Sequence, residues 1–373
     1  MRNCWKPRDG RKPMTHRMDF YKALSGSLGS LAMDTSFLEF RAYILDRLLD
    51  LLWRQWSALG VPGRTGMEER RVIDPESLLL LSMTIGRYDA RLFDEILDWL
   101  VVNGAFLNVQ RLRNLMKRFD FQSQAQLAAI SELLMKKSND PLKWKRLAAP
   151  RSPRNPEPLF FLKSGKPIPI PNEKAPEFSA CGLLRGPIKL RGHAQPFTTK
   201  GIPSLLLRLR ALLGVNARCE LLCMLAATEE THPSNVAKQT GYSPRTVQNT
   251  LAEMARSGVV QTRSGNREKW YCLQSGILDH LLKPEGSPTP WVNWAPLFRA
   301  FEILWIGVID PKRQNLDPLT QASELRRLGK EMRPLLADAG WGWRLEDDSS
   351  FRGVEYSTVF NRNITDILNQ LNQ

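Results

Sequence analysis

The chain has 373 residues, room for two or three domains, and its 42% hydrophobic content excludes global disorder. The net charge of +15 points to a polyanionic partner. Apolar runs such as Leu78–Leu81 are too short to span a bilayer, and the charged residues after Met1 have no apolar stretch behind them, so neither a membrane span nor a signal peptide is expected. Five cysteines without framework spacing suit a reducing, cytoplasmic setting. The charge is unevenly placed: residues 136–174 carry +7 and 185–275 carry +8, while 23–135 and 276–373 each carry −2.

In chain order, residues 1–33 read as a basic flexible arm. Residues 34–137 read as a helical N-terminal domain. Its first helix starts at Asp34 or Ser36, places Phe37, Phe40, Ile44, Leu48 and Leu52 at 3–4 spacing, and stops before Gly60 and Pro62. With Trp53 and Trp56 near its end, it suits a dimer seam or a core equally. A second helix follows Asp74-Pro75-Glu76, with Asp as cap and Pro in the first turn. Others are expected at Ala90–Val102, Val109–Phe119 and Ser123–Lys136. The fourth sets Leu112, Leu115 and Met116 against Arg111, Arg113, Lys117 and Arg118.

Residues 138–202 read as a basic, proline-rich connector, since nine prolines between Pro141 and Pro176 forbid long helices. Short strands are expected at 159–162 and 188–191. A short apolar helix at 203–214 opens a central unit, 203–282, which a second break between Pro284 and Pro296 ends. Residues 291–373 read as a helical C-terminal domain with helices near 294–307, 320–338 and 354–371 and a turn at Trp341-Gly342-Trp343. Its tryptophans, with Trp291, Trp294 and Trp305, suit core packing, the alternative being an aromatic ligand pocket.

The central unit carries the main signal. A helix capped by Asn216 exposes Leu221, Leu222, Met224 and Leu225 to a core. A second runs from His232-Pro233-Ser234 to Thr240, and a third from Pro244 to Ser257. Two helices crossing steeply need a small residue at the crossing, supplied by Ala237, and a positive φ at the turn, supplied by Gly241. Val247, Leu251 and Met254 form the inner face of the third helix, Ser243 caps it and Pro244 sits in its first turn. Strands follow at 259–263 and 269–273 around Ser264-Gly265-Asn266. Residues 216–273 thus resemble a winged helix-turn-helix of the MarR- and ArsR-like regulators.

The resemblance implies double-stranded DNA as partner. Ser243, Arg245, Thr246, Gln248 and Asn249 fall at the start of the recognition helix, and Arg263, Arg267 and Lys269 at the wing tip, where bases and backbone are contacted. The expected fold is mostly α: a helical N-terminal domain, a central winged helix-turn-helix with a small β-wing, and a helical C-terminal domain. The expected function is a sequence-specific transcriptional regulator, a repressor acting as a homodimer, with the flanking helices free to dimerise or bind a protein partner. A nucleic-acid-binding or scaffolding subunit of a defence or toxin–antitoxin assembly is the alternative.

Other chemistry finds little support. Cys219 and Cys223 lie four apart on a predicted helix; a metal or redox-sensing site with Cys272, His193 or His232 is one reading of that spacing, and two small apolar core residues explain it as well. The four histidines have no paired spacing, and Ser164-Gly165-Lys166-Pro167 lacks the rest of a phosphate loop. No catalytic residue, cofactor or metal ligand is assigned, and an enzyme is not expected.

Overall fold

The computed structural model describes residues 36–63, 68–147, 155–265, 268–276, 278–282, 290–313, 316–346 and 348–372. The arm read at 1–33 lies outside them. The fold is mostly helical, with two small two-stranded sheets. Among the described residues no helix is long and apolar enough to cross a membrane.

Among the described residues the first helices are α1 (Phe37–Ala58), α2 (Pro75–Ile85), α3 (Ala90–Asn103), α4 (Val109–Phe119) and α5 (Gln124–Lys137). Capping sets their starts. Asp74, Asp89 and Asn108 each accept a hydrogen bond from the backbone N–H three residues on, at 3.1, 3.0 and 2.9 Å. α2 is buried on nearly every side, as its Leu78–Leu81 run requires of a central helix. A short helix, α6 (Pro141–Trp144), ends this part.

The connector has little regular structure of its own. Strand β1 (Glu157–Pro158), helix α7 (Pro176–Ser179) and strand β2 (Leu183–Leu184) are short, and the two strands pair in parallel. The strand expected at 188–191 is absent. Pro187 removes one ladder donor, and the backbone N–H groups of Arg191 and Gly192 go instead to the Asp98 carboxylate of α3, both at 2.9 Å. Asn103 continues the clamp, donating to the Gln195 carbonyl and accepting from Phe197 N at 3.0 Å each.

Helices α8 (Leu205–Leu213), α9 (Ala217–Ala227), α10 (Pro233–Thr240) and α11 (Pro244–Arg256) follow, then strands β3 (Val260–Ser264) and β4 (Lys269–Leu273) and the short α12 (Asp279–Leu282). The chain closes with α13 (Trp294–Ile309), α14 (Pro318–Asp338) and α15 (Glu355–Leu371).

The apolar interior divides into two cores. The larger joins α1–α5 to α13–α15, so the stretches read at 34–137 and 291–373 as separate domains form one body. α1 is a core helix, not a free seam: Ile44, Leu48, Leu52 and Trp56 are fully buried, Phe40 meets Phe360 of α15 edge-on at 6.4 Å, and Arg54 donates to the Leu371 carbonyl. Trp294 and Trp305 are buried here, and the Trp294 indole donates to the Val72 carbonyl at 2.7 Å. The smaller core draws on α8–α12, β3 and β4.

Candidate functional site

In the smaller unit, the sequence builds a sharp helix–turn–helix. His232 caps α10, with Pro233 in its first turn. Gly241 ends α10 at φ +79°, a left-handed conformation that glycine reaches without cost. A Cβ there would also lie 2.6 Å from Leu115 Cδ2 of α4. Ser243 then caps α11: its Oγ accepts from Thr246 N at 3.1 Å and lies 2.8 Å from Thr246 Oγ1. Val247, Leu251 and Met254 turn into the core beside the crossing residue Ala237.

The opposite face of α11 is open. Arg245, Gln248 and Asn249 are exposed, and their side chains make no hydrogen bond or ion pair among the described residues. Ser243 and Thr246 share this surface, but their hydroxyls are engaged in the cap.

β3 and β4 form an antiparallel hairpin in register from Val260↔Leu273 to Ser264↔Lys269. Thr231, ahead of α10, exchanges two 2.9 Å backbone hydrogen bonds with Tyr271 and ties the hairpin to the helices. Lys269 is exposed and makes no ion pair among the described residues, whereas Arg263 stands 3.5 Å from Glu230. Arg267 lies outside the described residues.

Cys219 and Cys223 are fully buried in α9. Burial, then the nearby Glu220, pushes the Cys219 thiol up to about 12 and that of Cys223 well above its ordinary value, so both are protonated core residues. Among the described residues, no group of three or more His, Cys, Asp or Glu is arranged to hold a metal.

A buried ionic seam joins this unit to the body. Arg111 of α4 binds both Asp74 oxygens at 2.7 and 2.6 Å, Glu76 at 2.7 Å and the Thr240 carbonyl of α10 at 2.8 Å. Arg210 of α8 binds both Glu76 oxygens at 2.7 Å and also Glu220 of α9. Burial raises the Asp74 carboxyl, but the Arg111 guanidinium beside it more than offsets this and holds it at about 2. Burial likewise lowers both arginines, and their carboxylate partners raise them above the ordinary range.

The seam changes the reading of α4. Arg111 does not share an outward face with Arg113 and Lys117; it is buried and neutralised. Three further contacts fix α4 against the turn: Asn108 Nδ2 donates to Tyr242 Oη at 3.0 Å, Leu115 packs on Gly241, and Arg118 donates to the Ala237 carbonyl at 3.1 Å. Sequence reasoning missed this neighbour because nothing local in 203–282 points to a helix whose contacts lie 119 to 134 residues earlier.

Comparison of the chain with protein-family models, curated proteins and solved structures gives no match. What the site does is therefore argued from its own geometry.

Proposed function

We propose that residues 203–282 form a winged helix-turn-helix that binds double-stranded DNA, and that the chain is a sequence-specific transcriptional regulator. α11 is the recognition helix and the β3–β4 hairpin the wing. The outward face of α11 carries the reading: Arg245, Gln248 and Asn249 are exposed and unengaged at the helix start, while the inner face is fully committed to the core. Arginine, glutamine and asparagine are the side chains that pair bidentately with guanine and adenine edges in a major groove. Lys269 on the hairpin supplies a backbone contact beside them. In a homodimer acting as repressor, two-fold symmetry would set two such helices about 34 Å apart on a palindromic site.

A second reading, a nucleic-acid-binding or scaffolding subunit of a larger assembly, draws on the body. Leu319, Trp343 and Val354 are 59%, 60% and 50% exposed there, and the ionic seam holds the smaller unit to that body. Exposed apolar side chains of this size suit a protein partner.

Binding of labelled duplex from upstream of the gene, against a scrambled duplex across a salt series, separates the two. A regulator prefers the upstream duplex. Gln248→Ala then erodes that preference by about 1–3 kcal/mol, and Lys269→Ala weakens both duplexes alike. Equal, steeply salt-dependent binding with a copurifying protein supports the scaffold. No binding of either duplex at low salt overturns the DNA reading and leaves the unit as a protein interface.

A further inference from the structure

We propose that the DNA-binding surface continues from α11 across α10 onto α4 of the body, where Arg113 and Lys117 contact the phosphate backbone of the same duplex. This rests on the DNA reading above and extends it to a helix outside residues 203–282.

The placement follows from the contacts. α4 meets the turn at Asn108, Arg111, Leu115 and Arg118, against Tyr242, Thr240, Gly241 and Ala237 in that order. These four positions form one stripe on a helix of 3.6 residues per turn. Asn114 borders the stripe, and Gln110, Lys117 and Arg113 follow around the helix. Gln110, Asn114 and Lys117 are exposed and Arg113 is half-buried, so the solvent face of α4 abuts α10 with no other element's contact stripe between them.

The charge carried by these helices is almost all positive, and Asp120 at the end of α4 stands 3.6 Å from Arg299. α4 and α10 contain no Asp or Glu, and the single acid of α11, Glu253, is bound to Arg218. Arg113, Lys117, Lys238 and Arg245 make no ion pair among the described residues. Several cations elsewhere on the body do pair, Lys136 with Glu177, Lys163 with Asp46 and Arg185 with Asp94, while scattered ones such as Lys137, Lys145 and Lys189 make no ion pair among the described residues. What sets this surface apart is that its unpaired cations lie together on helices whose one acid is already bound. A run of unanswered cations over three abutting helices, one of them already shaped to enter a groove, fits a continuous polyanion. The buried Arg111 fixes α4 to α10, so the duplex finds these cations already placed.

The test is the salt slope of duplex binding for the full chain, measured on the upstream and scrambled duplexes. Arg113→Ala with Lys117→Ala should weaken both duplexes by the same factor and flatten the slope by about 2, roughly 1 per lost contact. Lys117→Gln alone should flatten it by about 1. Lys163→Ala, which removes a cation already paired with Asp46, should leave it unchanged. Circular dichroism and thermal melting confirm that the variants remain folded. A wild-type slope in the double variant, with Lys269→Ala still flattening it, overturns the extension and leaves the DNA reading standing. Absence of duplex binding by the wild-type chain at low salt overturns both.

Discussion

At the seam, Arg111 and Arg210 are buried, and each is held by two carboxylates; on the outer face of the unit they anchor, Arg245 and Lys269 are exposed and meet none. The same residue class serves opposite ends in one part of the fold. A buried guanidinium repays its desolvation only with close anionic partners, so its energy is spent inside the protein. An exposed, unpaired cation contributes almost nothing to stability and remains available to a ligand. Net charge alone does not separate the two: it counts 53 Lys and Arg against 38 Asp and Glu, and does not say which cations the carboxylates answer.

If this contrast holds, substitutions sort by assay. The largest effect belongs to Arg111→Ala, which strands Asp74 as a buried charge and leaves Glu76 to Arg210 alone: about 3–5 kcal/mol should be lost in denaturant unfolding at neutral pH. A loss below about 1 kcal/mol would break the comparison, since the seam would then carry no more than a surface pair. Next comes acid. The Asp74 carboxyl sits at about 2 when folded, below its ordinary 3.8. A depressed carboxyl contributes stability that is complete above the ordinary value and lost as pH falls from about 4 through about 2. The pair of values corresponds to about 2 kcal/mol. Urea unfolding across that range should reveal it, and Asp74→Asn should flatten the profile.

Gly241→Ala should cost about 1–2 kcal/mol, since alanine at φ +79° is strained and its Cβ crowds Leu115. Thermal melting measures this directly. The smallest effect on stability belongs to the outer face. Arg245→Ala should change the unfolding free energy by no more than about 0.5 kcal/mol while weakening duplex binding, and a larger stability change would mean that Arg245 has a structural partner after all.

Local pattern made most helices legible. Val109–Phe119 has the bounds its periodicity suggests, and Asp74, Asn216 and Ser243 cap the helices they precede. Gly241 and Ala237 sit where a tight crossing needs them. What was not legible lies between segments distant in sequence. An amphipathic count puts Arg111 outward, because the carboxylates that draw it inward stand 37 and 35 positions earlier. The alternation of Ile188 and Leu190 suggests a strand, yet it reflects packing on the body while Asp98 takes the backbone donors. Arg263 reads as a wing cation until the fold brings Glu230 to it. On α11 itself, exposure follows directly from the positions of Val247, Leu251 and Met254.

The large core has a consequence for synthesis. Ile44 and Leu48 of α1 share it with Phe360, Ile364 and Ile367 of α15, and the smaller unit lies between them in the chain. On the ribosome, α1–α5 emerge before α13–α15, and their inner faces lack these helices until the chain has been made as far as Leu371. The smaller core is assembled almost entirely from residues 205–282 and closes earlier. The nascent protein therefore passes through a stage in which the local unit is folded while leucine and tryptophan faces of the first helices stand uncovered. Such surfaces are where chaperones bind and aggregation begins.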